Sequence, residues 1–541
     1  MNLPEKLKIK KVDLSLVIVL CIAFILRFVS LGYSDFQGDE IKALFLPDES
    51  DSISEFLLTQ RKGPIQFLVT FLIKLVDPLY VNQFLVRLPF ALAGFLAVYY
   101  FYKLTKHYFG ERTAFYASLL LATNGFFIAF SRIAQYQSFV ILFSVLCLYI
   151  LTLAVKDPRM KIKGLYLAMF FWAVSLLSHY DGIFILPAVL MIMLKWVKDI
   201  DLSYKLKVKT ITLSLILFAS LNLLFYIPFV MYLSQETKAY WAGRLIGDVS
   251  SKMSSSYYLF SVYQPIYVIH FYIAFFIVMI IAFLLALCPN FIKKLLSNIS
   301  SIKILFDTAS EIILKKIGLP KFFTLVFWFA LPFIFLEAIV SIPGTHIYTY
   351  LLPAFILIAI GISFLEDVWL KITVKIRVIK PTLIKNILLG AMFSFFVVQS
   401  YFVFVDNYKE YPWQEEKFLL WTMPTPNPTY HISLFGFPYF RDWESISEFV
   451  SGNPEVSAYS TNERESISRH HVNLLKDTDK AGFYIFLQFP QSFTEHMLND
   501  KALYWASKYP PVYTLSKGGA DLVTIYKMPP GTLAEIREKG L

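Results

Sequence analysis

The chain has 541 residues, of which 57% are hydrophobic and 16% charged, with a formal net charge of +11; its mean hydropathy is +0.58. Soluble globular chains carry about 25% charged residues, so that class is excluded, and apolar runs of hydrocarbon-spanning length make this a polytopic helical membrane protein. The positive charge does not imply nucleic acid, because it is gathered in alternate loops between the apolar runs, as a charged rim on one membrane face would be.

In chain order, eleven apolar runs read as spans, over about 14–32, 88–105, 113–131, 135–155, 164–178, 182–197, 210–233, 265–288, 321–342, 347–365 and 385–405. The first is longer than the h-region of a cleavable signal peptide, and no small-x-small site follows it. Lys and Arg collect before the first run, then at Lys103 to Arg112, Lys156 to Lys163, Lys195 to Lys209, Lys293 to Lys321 and Lys371 to Lys385. The positive-inside rule puts those segments and the N-terminus in the cytoplasm of a multi-pass plasma-membrane protein. The opposite loops and the C-terminal tail are then extracytoplasmic.

The membrane part covers residues 1–405, with 33–87 as a first external loop too long for a simple connector. Two short amphipathic pieces are expected in that loop, one after Asp39 and one over Pro64 to Val76, the second lying along the interface. A second external loop near 234–264 is rich in Tyr and charge (Tyr240, Trp241, Arg244). It suits either an interfacial aromatic belt or a lid over a site. Prolines 412, 424, 426 and 428 mark a linker over 406–430. Residues 431–541 read as a small external α/β domain: a helix capped by Asp442, strands near 456–460 and 482–489, a helix near 495–509, and a hairpin around Gly518 and Gly519. Cys21, Cys147 and Cys288 all fall in predicted spans, so neither a disulfide framework nor a zinc motif is supported.

Chemistry concentrates in the first external loop, at Asp39-Glu40 with Lys42, Arg61 and Lys62 close by. Cations in such a loop hold anions such as phosphate, and a carboxylate beside a bound hydroxyl acts as a general base. The set suits attack by an alcohol on a sugar carried by a lipid phosphate, the cations neutralising the departing phosphate. No cofactor is then required; a divalent metal is possible, although ligand spacing does not support one. His179 and His346 fall at outer span ends, either as hydrogen-bonded structural residues or as walls of a polar cavity. Arg27, Arg87 and Arg132 lie near outer span ends, where snorkelling is the alternative to ligand binding. His470-His471 reads as surface.

Several segments resemble, in order, the C-type membrane glycosyltransferases, the superfamily of protein O-mannosyltransferases, lipid A aminoarabinose transferases and the rhizobial galacturonosyltransferase-like group. They are Gly38-Asp39-Glu40-Ile41-Lys42, Arg61-Lys62-Gly63-Pro64-Ile65, Arg87-Leu88-Pro89, Phe109-Gly110-Glu111-Arg112, Ser131-Arg132 through Ser138, Ser178-His179-Tyr180-Asp181-Gly182, and His346 to Pro353. The resemblance spans about residues 10–365. It implies a polytopic helical fold with interfacial helices in the first loop. It also implies an inverting transferase that takes sugar from a polyprenyl-phosphate donor to a glycan, lipid or protein acceptor outside the membrane. Carried residue by residue, Asp39 matches the catalytic base and Glu40 its companion, while Lys42 and Lys62 match carrier-phosphate contacts. Arg132 and Arg244 are further candidates for the phosphate, and Arg87, Tyr136, His179, Tyr240, His346 and Tyr350 for the substrate cavity. The chain departs from the pattern at Gly63, where relatives have Pro, and at Gln135 and Gln137, where they have Arg and Asp. A lipid or sugar transporter is the alternative from another class; it would place ionisable residues deep in spans and show paired halves.

Overall fold

The computed structural model describes residues 13–48, 50–247, 253–262, 269–290, 293, 300–376, 380–408, 410, 416–418, 421–423, 435–491 and 496–538. The linker residues Pro412, Trp413, Pro424, Pro426 and Pro428 lie outside them.

Apolar helices form the body: α1 (Leu14–Phe28), α5 (Gln83–Phe109), α6 (Glu111–Thr123), α7 (Gly125–Arg132), α8 (Gln137–Lys156), α9 (Lys163–Ser178), α10 (Leu186–Asp199, entered by a 3-10 turn over Tyr180–Ile185), α11 (Tyr204–Met231), and the helices Ile269–Leu287, Leu319–Ala338, Tyr348–Lys375 and Pro381–Phe404. Among the described residues, eight helical stretches are long and apolar enough to cross a membrane, α6 and α7 together make a bent ninth, and α1 and α9 are shorter apolar helices. The run expected as one span over 113–131 is therefore broken. Asn124 leaves helical geometry and its side chain accepts the N–H of Phe126, starting α7 afresh at 57° to α6. The stretch Gly344–Lys375 is 94% buried over its apolar window and is the central post, whereas α11 is 17% buried and meets lipid.

Two arginines tie the outer ends together. Arg132 donates to the carbonyls of Leu26, Val29 and Ser30 at the end of α1, and Arg27 to those of Leu121 and Ala122 near the end of α6. These are carbonyls that a helix terminus leaves without partners. At the other end of the bundle, Lys106 pairs with Asp13 and Glu111, Arg112 with Asp367, and Lys371 with Glu311.

The first loop carries α2 (Gly38–Ile41), α3 (Ile53–Thr59) and α4 (Ile65–Lys74). Within the expected second loop lies α12 (Gln235–Leu245), whose last turn receives the N–H groups of Ser341 and Ile342 on the Arg244 carbonyl. The tail begins with a ribbon, β1 (Glu416–Phe418) against β2 (Trp421–Met423). It continues as a five-stranded mixed sheet in the order β4-β3-β5-β7-β6, with β3 (Ala458–Thr461), β4 (Leu475–Lys476), β5 (Phe483–Leu487), β6 (Pro511–Lys517) and β7 (Ala520–Lys527). Gly518 and Gly519 both take positive φ, 60° and 84°, in the tight β6–β7 turn. Asp442 caps the helix Trp443–Ser451, as its sequence position suggests. A further short helix, Glu465–His471, has no strong sequence signal. It corrects the reading of its two histidines as surface. His470 meets Phe36 edge-on, His471 stacks on Trp443, and burial pushes the His471 pKa down to about 3.

The tail domain sits on the first loop. Asp35 N–H donates to the Tyr439 carbonyl (2.9 Å), Arg441 N–H to Asp35 Oδ2 (2.6 Å), and Ser34 Oγ to the Phe437 carbonyl (3.1 Å). Tyr33 and Lys517 both contact Glu410, which also pairs with Arg441. Loop and tail thus share one side of the bundle.

Candidate active site

The acidic pair lies on α2, a single helical turn. Gln37 caps it by accepting the Asp39 N–H (3.2 Å), while Glu40 reaches back to the Gln37 N–H (3.2 Å). Adjacent positions on a helix point about 100° apart, so the two carboxylates diverge. Glu40 turns inward and is fully buried. Its Oε1 accepts from Arg87 Nε (2.8 Å) and the Ala134 N–H (2.9 Å), and its Oε2 from Arg87 Nη2 (2.7 Å). Asp39 turns outward, 37% exposed, with Arg464 Nη1 3.9 Å from Oδ1. Only Asp39 presents a carboxylate to solvent.

Arg87 does not line the cavity as expected. Its remaining N–H groups go to the carbonyls of Leu31, Ser34 and Asp35, so its whole guanidinium is used inside the protein. Arg132 is 5% exposed and gives Nη1 and Nη2 to carbonyls at the end of α1, while its buried Nε has no hydrogen-bond partner. Both were plausible from sequence because a membrane-end arginine looks the same whether it caps backbone or binds substrate.

The lysines fare differently. Lys62 donates to Gln135 Oε1 (2.9 Å), its ammonium lies 5.1 Å from the Tyr136 ring centroid, and desolvation lowers its pKa to about 8. Gln135 in turn bonds the Asp39 carbonyl, so the glutamine that departs from the family pattern bridges lysine and catalytic-loop backbone. Lys42 has its pKa lowered, first by desolvation and then by the charge of Arg464, with Arg61 adding to it. Arg61 and Arg244 both lie over Tyr240, at 4.6 and 5.2 Å from the ring centroid, which brings α12 to the first loop. Arg464, at the start of the tail helix Glu465–His471, is a member that sequence reading missed; only the folding-over of the tail brings it to Gly38 and Asp39. Gly63 is explained locally: a Cβ there would overlap the Leu177 carbonyl.

Beside this basin, His179 stacks on Tyr136 with ring centroids 4.0 Å apart and planes at 9°. Its Nδ1 lies 3.3 Å from Asp181 Oδ1, and His346 Nδ1 lies 2.7 Å from Asp181 Oδ2, which also accepts from Tyr348 (2.8 Å). The two histidines expected at span ends are therefore brought together, by an aspartate that sequence reading quoted without choosing. Tyr350 is not part of this wall. It packs edge-on against Phe329 and Phe333, and Tyr348, two residues earlier, takes the inward place. The expectation that no metal-ligand set is present meets a specific finding: His179, Asp181 and His346 offer ligand atoms all within 4.8 Å of one another.

The family model for dolichyl-phosphate-mannose-protein mannosyltransferase matches residues 63–224. No curated protein matches the chain. Among solved structures, ArnT from Cupriavidus metallidurans bound to undecaprenyl phosphate aligns at 12% identity and TM-score 0.48, covering 94% of this chain and 97% of that one. The oligosaccharyltransferase AglB from Archaeoglobus fulgidus, in complex with an inhibitory peptide and a dolichol-phosphate, aligns at 10% identity and TM-score 0.47, covering 94% and 74%. The S. cerevisiae protein O-mannosyltransferase Pmt1-Pmt2 complex aligns at 15% identity and TM-score 0.28, covering 46% and 36%. The family-model match makes residues 63–224, which include Arg132, Tyr136 and His179, similar to that mannosyltransferase family.

Proposed function

We propose that the chain transfers a sugar from a polyprenyl-phosphate donor to an acceptor hydroxyl at the extracytoplasmic membrane face, with inversion at the anomeric carbon. The observation that carries this reading is the position of Asp39: a solvent-reaching carboxylate between Lys42 and Arg464, joined through its own carbonyl and Gln135 to Lys62.

Asp39 accepts the proton of the acceptor hydroxyl. The acceptor oxygen attacks the anomeric carbon from the face opposite the phosphate, and the bond from that carbon to the phosphate oxygen breaks. The electron pair leaves with the lipid phosphate, where Lys62 and Lys42 stabilise the added charge. Glu40 contributes by holding α2 against Arg87. The acceptor, whether envelope glycan, lipid or protein, reaches the site beneath the tail domain. The donors and acceptors named for the structural neighbours, undecaprenyl phosphate, dolichol-phosphate and peptide, are of the classes this reading requires.

The test is Asp39→Asn in the full chain, assayed with a labelled polyprenyl-phosphate sugar and a membrane extract as acceptor source. Transfer is expected to fall by about 10² to 10⁴ with assembly intact. Undiminished transfer overturns the assignment. Movement of intact lipid-linked sugar without cleavage would identify a transporter instead.

A further inference from the structure

We infer that His179, Asp181 and His346 form a binding site for a divalent transition metal of the zinc class. The three come from two segments: His179 and Asp181 from the turn between α9 and α10, and His346 from a second 3-10 turn over Gly344–Ile347. His179 and Asp181 are each 2% exposed, and His346 sits at the rim with its side chain 13% exposed. Two imidazoles and a carboxylate are a ligand set that zinc and its neighbours accept, leaving a further position for water or an anionic oxygen.

His179 Nδ1 accepts the Asp181 backbone N–H (3.2 Å), capping the 3-10 turn, and faces Asp181 Oδ1 at 3.3 Å. A cation bound at Nδ1 would take the place of that cap and be shared with the carboxylate. Tetrahedral ligands with bonds of about 2.0–2.2 Å lie roughly 3.3 Å apart, so closing the set needs small side-chain movements only. The surroundings are those of a metal centre. Tyr136 and Tyr180 pack on the His179 ring, at 4.0 and 3.7 Å between centroids, fixing its plane, and Tyr348 donates to Asp181 Oδ2, fixing the carboxylate.

Tyr136 also meets Lys62, which sets the metal beside the proposed donor-phosphate site. That consequence rests on the glycosyl-transfer reading; metal binding does not, and its test needs no sugar substrate. The full chain, purified in detergent and treated with chelator, is titrated with Co²⁺ and followed by visible d–d absorption, then competed with Zn²⁺. The expected result is one Co²⁺ per chain, displaced by Zn²⁺. Affinity falls at least tenfold in Asp181→Asn and in His346→Gln and is unchanged in the double variant His470→Ala, His471→Ala. Wild-type protein that takes up no Co²⁺, or binding that persists in His346→Gln at wild-type thermal stability, overturns the proposal and leaves the three residues as a hydrogen-bonded network.

Discussion

Arg87 grips Glu40 through two parallel hydrogen bonds, Nε to Oε1 at 2.8 Å and Nη2 to Oε2 at 2.7 Å, with both side chains removed from solvent. A buried pair of this kind loses about 3–5 kcal/mol when one partner is deleted, because the other charge is left without compensation. Glu40→Ala and Arg87→Met are therefore expected to lower the unfolding temperature in detergent sharply. Asp39→Asn should leave it in place, since among the described residues the Asp39 carboxylate makes one ion pair within 4.0 Å, a loose and partly exposed one with Arg464 at 3.9 Å. Equal thermal loss in Asp39→Asn would mean that the two acids share one structural role.

Lys62 separates binding from assembly by pH. Its ammonium, desolvated to a pKa of about 8, holds a phosphate only while protonated. Donor KM is expected to rise as pH increases through about 8, and Lys62→Arg, which stays protonated, should flatten that rise. A pH profile identical in wild type and Lys62→Arg would remove Lys62 from the phosphate site.

Asp35 links the tail to the first loop through the Arg441 N–H, and burial pushes its pKa up to about 7. The sign follows from linkage: the folded state retains the proton longer than the unfolded state, whose carboxyl titrates near 3.8. Stability from this group is thus present below about pH 4 and is lost as pH rises towards 7. Asp35→Asn keeps an acceptor for Arg441 without the charge. Its thermal advantage over wild type should grow from pH 5 to pH 8; an advantage constant with pH would contradict the burial account.

Gly63 closes the approach of the Lys62 loop to the end of α9. A Cβ there would overlap the Leu177 carbonyl, which is backbone and does not swing aside. Gly63→Ala is expected to destabilise the chain by more than about 1 kcal/mol, the range in which overpacking is felt, and to displace Lys62, raising donor KM in membranes where the protein still assembles. Wild-type behaviour in both measurements would show that the loop is free to move.

Arg464 is the tail's contribution to the basin. Gly38, whose Cβ would come within 3.0 Å of Arg464 Nη1, lets the guanidinium approach Asp39. Arg464→Ala is expected to reduce kcat/KM about tenfold, near 1.4 kcal/mol, with unchanged thermal stability. Arg464→Lys should recover part of it. Loss of tail docking, read as new protease cleavage within 406–430, would assign the effect to structure.

The membrane class, the helical runs and the cluster of charge in the first loop are legible in sequence because each rests on local information. Apolar length decides a span, charge asymmetry decides which loops share a side, and Asp39-Glu40 beside Lys42 and Lys62 is a continuous stretch. The break at Asn124 was hidden because an apolar run continues through it while one side chain restarts the helix. Arg87 and Tyr350 read as cavity residues, and Arg132 as a phosphate ligand, because residue type and membrane depth do not reveal which partner a side chain meets.

What the sequence by itself determined is the inventory: which segments are apolar enough for lipid, and which loop holds a carboxylate among cations. What only the tertiary structure decided is the division of labour within that inventory. One helical turn sends Glu40 inward to Arg87 and Asp39 outward to the basin, the tail folds over to bring Arg464 beside Asp39, and two turns far apart in the chain bring His346 to Asp181 and His179. The physical reason is that hydropathy is a property of single residues summed along a window, whereas hydrogen bonds and ion pairs depend on distance and direction between residues that the chain alone does not place.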